Sequence, residues 1–295
     1  MAKVLITGAS SGFGELTART LLQKGHTVAA TMRELGARNA QAAKRLRTVA
    51  AETPGTVYIF DLDVTSGPSV KQTVDQALSA MSGIDVAVNN AGYGLAGYME
   101  TVTDAQLMRQ FDVNVFGVQR IMRAVLPTMR QARQGLIVNI SSVMGRIVIP
   151  FAAAYTASKY ALEGLSESYR YELAGTGVDV VMVEPGGFGT NFMDNMVYGE
   201  DRERLESYGS LVEVPDKMWS AFSQAIKDEN APNPQAVADA VLHLIETQPG
   251  SRPLRTVVDP MSGGEGPKTI NQTTDKIQTQ LLEAMGMQDL LSVKA

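Results

Sequence analysis

Short apolar runs rich in β-branched residues recur along the chain at Val4–Thr7, Thr27–Thr31, Val57–Phe60, Asp85–Asn89, Leu136–Ile140, Val178–Val183 and Thr256–Val258. Longer stretches with helical spacing lie between most of them: Glu15–Lys24, Val70–Met81, Ala105–Arg130 and Ala154–Leu173. A strand buried on both faces reads as a continuous apolar run, and parallel neighbours need a crossover, normally a helix. The alternation predicts an α/β chain with a doubly wound parallel sheet of about seven strands and helices on both faces. Ligands of such sheets bind at the carboxyl ends of the strands, near the switch in strand order.

Two regions break the alternation. Residues 190–231 carry no strand signal and hold Phe192, Met193, Met196, Tyr198, Tyr208, Met218, Trp219 and Phe222. Residues 260–267, Pro-Met-Ser-Gly-Gly-Glu-Gly-Pro, read as a loop before a final amphipathic helix around Thr274–Met285. The expected organisation is one domain over 1–295, with a substrate-capping insertion at 190–231 and a C-terminal extension at 260–295.

Composition narrows the function. The chain has 295 residues, is 44% hydrophobic and carries a formal net charge of −5, with no long run of like charge. Nothing in this points to nucleic acid or an anionic membrane as partner. Cysteine is absent and only His26 and His243 are present, so thiolate chemistry is excluded and no metal site is expected. No apolar stretch is long enough to span a bilayer, and the first apolar run is too short for a signal-peptide core. A cytoplasmic protein is the expectation.

The segment Thr7-Gly8-Ala9-Ser10-Ser11-Gly12-Phe13-Gly14 follows the first strand and opens the first helix. Its glycines let the backbone turn tightly and approach a pyrophosphate, to which the helix N-terminus offers amides and a partial positive charge. No lysine follows the last glycine, which excludes a P-loop, and no Gly-x-Ser-x-Gly elbow is present, which argues against a serine hydrolase.

Thr7–Gly14 as TGxxxGxG, Asn89-Asn90-Ala91-Gly92, Asn114, Ser142, Tyr155-x-x-x-Lys159 and Pro185-Gly186 stand in this order. Together they resemble the short-chain dehydrogenase/reductase family, closely over residues 2–190 and in outline beyond. The resemblance implies a Rossmann-type fold and catalysis by Asn114, Ser142, Tyr155 and Lys159. It also implies a cofactor shell of Gly8, Ser10, Ser11, Gly12, Phe13, Gly14, Asp63, Val64, Asn90, Ala91, Gly92, Tyr155, Lys159, Pro185, Gly186 and Thr190. Within that shell Asp63 and Val64 contact adenine, Asn90 and Gly92 line the adenosine ribose side, and Pro185, Gly186 and Thr190 face nicotinamide. Lys159 would bond the nicotinamide ribose, while Asn114 would kink its helix and hold a water for the lysine.

The residues bear an independent reading. Tyr155 and Lys159 lie at i and i+4 of a helical segment and share a face. A free phenol titrates near pH 10, and a neighbouring ammonium is expected to pull it toward the working pH. Tyr155 would then exchange a proton with a carbonyl or alcohol oxygen. Ser142 follows the strand Ile137–Ile140 and would hold that oxygen. Ser141 and Ser142 point to opposite faces while extended, and the family spacing selects Ser142.

Cofactor choice rests on the end of the second strand. Met32 stands where an NAD-selective site places an acid, and Arg33 follows; a guanidinium suits a 2′-phosphate, with Ser11 adding a hydroxyl. NADP(H) is expected over NAD(H). The methionines and aromatics of 190–231, with Met144, Ile149 and Phe188, suit a bulky hydrophobic ketone, aldehyde or alcohol; in outline this half resembles the hydroxysteroid and retinol dehydrogenase branch. The family pairs through the helices carrying Asn114 and Tyr155, which implies a homodimer or homotetramer. Two other readings stay open, a redox-silent dinucleotide-binding regulatory protein and a lyase or epimerase on the same fold.

Overall fold

The computed structural model describes residues 1–293. Its elements run β1 (Lys3–Ile6), α1 (Gly12–Gln23), β2 (Thr27–Met32), α2 (Ala40–Ala51), β3 (Thr56–Asp61), α3 (Gly67–Met81), β4 (Val86–Asn89) and β5 (Leu95–Ala96). They continue with α4 (Asp104–Phe111), α5 (Gly117–Ala132), β6 (Gly135–Ile140), α6 (Ala153–Leu173), β7 (Val178–Pro185) and β8 (Val197–Tyr198). The last are α7 (Arg202–Ser207), α8 (Val214–Ala225), α9 (Gln235–Glu246), β9 (Arg255–Val258) and α10 (Glu265–Ala284).

Seven strands form one parallel sheet in the order β3-β2-β1-β4-β6-β7-β9. This is the doubly wound arrangement expected from the apolar runs. Alternate residues of each strand feed two cores. Val4, Ile6, Val28, Val138 and Val183 face α1, α2 and α9, while Leu5, Ala29, Ala87, Ile137 and Val180 face α3, α5 and α6. The chain winds outward from β1 in one direction and from β4 in the other, so a cleft opens where these neighbours end. Thr7 and Gly8 leave β1 at that point, and Asn89 and Asn90 end β4.

Four features differ from the sequence expectation. The segment 190–231, read as free of strands, contains β8, which pairs in parallel with β5 (Leu95↔Val197, Ala96↔Tyr198). A two-residue strand has no periodicity to read, and its partner lies about a hundred residues upstream. The stretch 260–267 is not all loop, because α10 begins at Glu265. Pro267 sits in the first helical turn, where its missing N–H breaks no helical bond. The long helical stretch 105–130 is broken by a π-helical turn at Asp112–Phe116. Finally, α2 lies in a stretch for which no element was expected. Among the described residues, no helix is long and apolar enough to cross a membrane.

A third apolar cluster lies above the strand ends. Ala96, Val143, Met144, Ala152, Tyr155 and Trp219 form its buried part, with Phe192, Met193, Met196, Met218 and Phe222 packed against it. The segment after β7 thus caps the sheet over Tyr155.

Candidate active site

The loop between β1 and α1 is locked from below. Thr7 Oγ1 accepts from the Asn90 and Ala91 amides, both at 3.0 Å, and Asn90 Nδ2 donates to the Thr7 and Gly8 carbonyls, also at 3.0 Å. The carboxamide of Asn90 therefore holds the loop in shape, a role beyond the ribose contact implied by resemblance. Gly8 adopts a φ of 68°, and a Cβ there would come within 2.9 Å of Ala91 Cα. A Cβ on Gly14 would overlap the Gly8 carbonyl and the Asn90 amide. Ser11 precedes the first turn of α1, and its hydroxyl caps none of the helix amides. Open amides at a helix start, above a turn with no room for side chains, fit a dinucleotide pyrophosphate.

Both flanks of the loop are also defined. The segment after β7 reaches back to it, since the Phe13 and Phe188 rings meet edge-on at 5.5 Å and a Cβ on Gly12 would touch Thr190 at 3.6 Å. Gly186 donates its amide to the Val258 carbonyl, and a Cβ there would run into the Asp259 carboxylate. On the other flank Arg33 is exposed at the end of β2. Among the described residues no carboxylate lies within ion-pair distance of it. Asp63 accepts through Oδ1 from the Thr65 amide and hydroxyl at 2.9 and 2.8 Å. Burial disfavours its charge, but those two bonds and the fields of Arg33 and Arg109 outweigh this and hold the carboxyl below its usual range. Val64 is buried against Gly117, and its carbonyl accepts from Arg120 at 3.1 Å.

Sequence reasoning missed Arg45. From α2 it grips Glu15 at 2.8 and 2.7 Å and donates to the Ser10 carbonyl at 3.2 Å, a second guanidinium beside the loop. No periodicity had marked α2, so nothing placed this arginine near the site.

The other half of the site lies where β4, β6 and β7 end. Ser142 leaves β6, its Oγ accepting from the Met144 amide at 3.1 Å and lying 3.5 Å from the Pro185 carbonyl. Tyr155 and Lys159 project from α6, both buried, with Lys159 Nζ 5.6 Å from the centre of the Tyr155 ring. Asn114, in the π-turn, donates to Ser158 Oγ and to the Tyr93 carbonyl, both at 3.1 Å, and accepts from the Tyr93 amide at 3.2 Å. Gly92 lies against it, where a Cβ would come 3.2 Å from Asn114 Oδ1. Asn114 lies in the π-helical turn that interrupts the helical stretch. Ser141 Oγ is buried with no hydrogen-bond partner among the described residues.

The electrostatics correct one expectation. The phenol of Tyr155 is not lowered; burial pushes it up to about 12, with the nearby Ser142 hydroxyl working the other way. Lys159 Nζ donates to the Ile140 carbonyl at 2.8 Å, and among the described residues no hydrogen bond joins it to the phenol oxygen. Burial pulls Lys159 down to about 8, opposed by the Glu163 carboxylate. Without a charge at the phenol oxygen, desolvation decides the direction.

Comparison with known proteins agrees with this geometry. Residues 2–201 match the family model described as short chain dehydrogenase. A 3-ketodihydrosphingosine reductase of Bacteroides thetaiotaomicron is 35% identical over 262 residues, 88% of each chain. Human retinol dehydrogenase 8 is 39% identical over 258 residues, covering 83% of this chain and 78% of that one. A crystal structure of a short-chain dehydrogenase from Streptomyces avermitilis superposes with a TM-score of 0.74 at 32% identity, covering 96% of this chain and 97% of that one. A relative from Burkholderia phymatum solved with NAD gives 0.74 at 25% identity, covering 95% of each chain. A metagenomic one solved with NADP gives 0.67 at 27%, covering 88% of this chain and 97% of that one. With the family model matched over most of the chain, relatives above 30% identity and a shared seven-strand fold, the chain belongs to the short-chain dehydrogenase/reductase family of oxidoreductases.

Proposed function

We propose that the protein interconverts a carbonyl and an alcohol on an elongated apolar substrate with NADP(H), and that Tyr155 is its proton-transfer residue. The observation that carries this reading is the convergence of Ser142, Tyr155 and Lys159 under the apolar cap, beside a loop shaped for a pyrophosphate. Bound nicotinamide would supply or accept the hydride. The chain's own residues would hold the substrate oxygen and manage the proton. A phenol pushed up to about 12 is fully protonated at neutral pH, which suits it to donate to a carbonyl oxygen. Ser142 would bond that same oxygen, and Lys159, an ammonium below about 8, would stabilise the negative charge left on the phenolate.

Arg33, exposed and with no carboxylate within ion-pair distance among the described residues, favours NADP(H), since a guanidinium donates charge-assisted hydrogen bonds to a phosphate more strongly than to a ribose hydroxyl. The apolar cap, together with relatives named for 3-ketodihydrosphingosine and for retinol, favours a hydrophobic substrate. Phe116 and Tyr160 stand exposed beside α5 and on α6, and we place self-association there. The deciding experiment is Tyr155→Phe assayed by nicotinamide absorbance on apolar ketones and alcohols. Turnover should fall by about 10²–10⁴-fold, while NADPH still binds by fluorescence titration; near-normal turnover refutes the assignment.

A further inference from the structure

One helical turn beyond Lys159, on the same face of α6, stands Glu163, and both side chains are buried. The carboxylate is only partly neutralised. Its Oε2 accepts from Arg255 Nε at 2.8 Å, and its Oε1 has no hydrogen-bond partner among the described residues. Arg255, on β9, is shared among several acids. It meets Glu167 of α6 at 2.5 Å and Asp275 of α10 at 3.1 Å, and lies 3.6 Å from Glu184 of β7. Glu184 is fully buried and accepts from Asn271 of α10 at 2.8 Å. Arg146, in the turn after β6, bonds Thr274 of α10 at 2.7 Å and adds the second positive field. Glu184 keeps its proton up to about 8, pushed there by burial and the field of Glu163, so at neutral pH three carboxylates (Glu163, Glu167 and Asp275) face two guanidinium groups, and the next cation along α6 is Lys159.

The acid is also pressed toward the strand end that carries Ser142. Gly145 packs so closely that a Cβ would come 2.9 Å from both Glu163 Cγ and Ser141 Oγ, and 3.3 Å from the Lys159 carbonyl. In such a dry setting an ammonium whose one hydrogen bond goes to a carbonyl is costly, and a neighbouring surplus negative charge offsets that cost.

We propose that Glu163 is a positioning residue for the reaction: held by Arg255 but not neutralised by it, its carboxylate keeps Lys159 an ammonium and so sets the alkaline edge of activity and of dinucleotide binding. This rests on the reading of Tyr155 and Lys159 as the reacting pair. The rival is that Glu163 merely ties α6 to β9.

Glu163→Gln in the full chain separates the two. Glutamine keeps the shape and can still accept from Arg255, and losing one charge from an acid-rich cluster relieves repulsion. The NADPH dissociation constant, by fluorescence, and kcat/KM are measured across the neutral and alkaline range. Both alkaline limbs should move down by about one pH unit, so that the loss grows with pH, and Glu163→Asp should restore them. A loss that is the same at every pH, or a limb that stays in place, overturns the proposal. If Glu163→Gln does not fold, Arg255→Gln reads the same coupling with opposite sign, because an unopposed carboxylate moves the limb up. Failure of the Tyr155 assignment would show as turnover in Tyr155→Phe, whereas the NADPH-binding limb reports on the charge of Lys159 without any turnover.

Discussion

The ring of Phe192 meets that of Tyr155 at 5.4 Å with the planes 61° apart, so the aromatic of the cap rests on the aromatic of the proposed chemistry. Phe192 fits there because position 94 is glycine; a Cβ on Gly94 would stand 2.8 Å from Phe192 Cζ. On the proposed reading of Tyr155, this ring would border the path of the substrate oxygen. Phe192→Ala should therefore widen acceptance, raising kcat/KM for branched ketones relative to linear ones by about tenfold. A panel of paired branched and linear ketones checks this, and an unchanged ratio places the ring outside the substrate path.

The proposed preference for NADP(H) rests on Arg33. Charge-assisted hydrogen bonds to a phosphate contribute about 1.5–3 kcal/mol, so Arg33→Ala should cut the ratio of kcat/KM for NADPH over NADH by about ten- to a hundredfold. NADH kinetics should move less, because Asp63, the carboxylate within the field of Arg33, keeps its two bonds from Thr65. Arg45 is the control: it is committed to Glu15 and the Ser10 carbonyl. Arg45→Ala should weaken both cofactors by loosening the loop they share.

Much of this architecture could be read in advance, for physical reasons. Strands buried on both faces must be largely apolar, so the five inner strands stood out as runs, and the half-buried edge strands β3 and β9 were still marked by Val57–Phe60 and Thr256–Val258. The phosphate loop was legible because Gly8 and Gly14 occupy positions where a side chain has no room. What escaped notice depends on contacts between distant segments. The β5–β8 pairing carries no local pattern, the π-turn at Asp112–Phe116 shows only as a break in hydrogen bonding, and α10 starts among residues that usually break helices. The direction of the Tyr155 shift is hidden for a related reason: i, i+4 spacing brings Lys159 close but does not reveal that it donates its hydrogen bond to the Ile140 carbonyl or how deeply the phenol is buried.

Asn114 links the π-turn to α6, donating to Ser158 Oγ, which in turn donates to the Tyr155 carbonyl at 2.7 Å. Asn114→Ala removes one acceptor and two donor contacts from a buried site and leaves the Tyr93 amide unpaired, while the Tyr93 carbonyl keeps Gln110 Nε2 at 2.9 Å. A cost of about 2–4 kcal/mol is expected, read as a lowered midpoint in denaturant, together with reduced kcat as Tyr155 loses its brace. An unchanged midpoint would mean that the π-turn is held by other contacts.

Glu184 gives the fold a pH dependence of unusual sign. Burial, reinforced by the field of Glu163, pushes its carboxyl up to about 8, against the bond from Asn271 and the fields of Arg255 and Arg146. In the unfolded chain an exposed glutamate titrates near 4.3. Between these values the folded protein binds more protons than the unfolded one, so stability falls as pH rises. The contribution is fully present below the unfolded value and is lost as pH climbs through about 8. Most carboxylates act in the opposite sense, since pairing lowers them and they stabilise at higher pH. Glu184→Gln fixes the neutral state and keeps an oxygen for Asn271, so its melting temperature should decline less than that of the wild type between mildly acidic and slightly alkaline buffer. Each 1 kcal/mol removed from the slope corresponds to about 2–4 °C in a chain of this order of size, which differential scanning calorimetry resolves. Parallel melting curves for the two proteins across that range would show that Glu184 is already ionised at neutral pH and that Arg255 carries all four acids as charges.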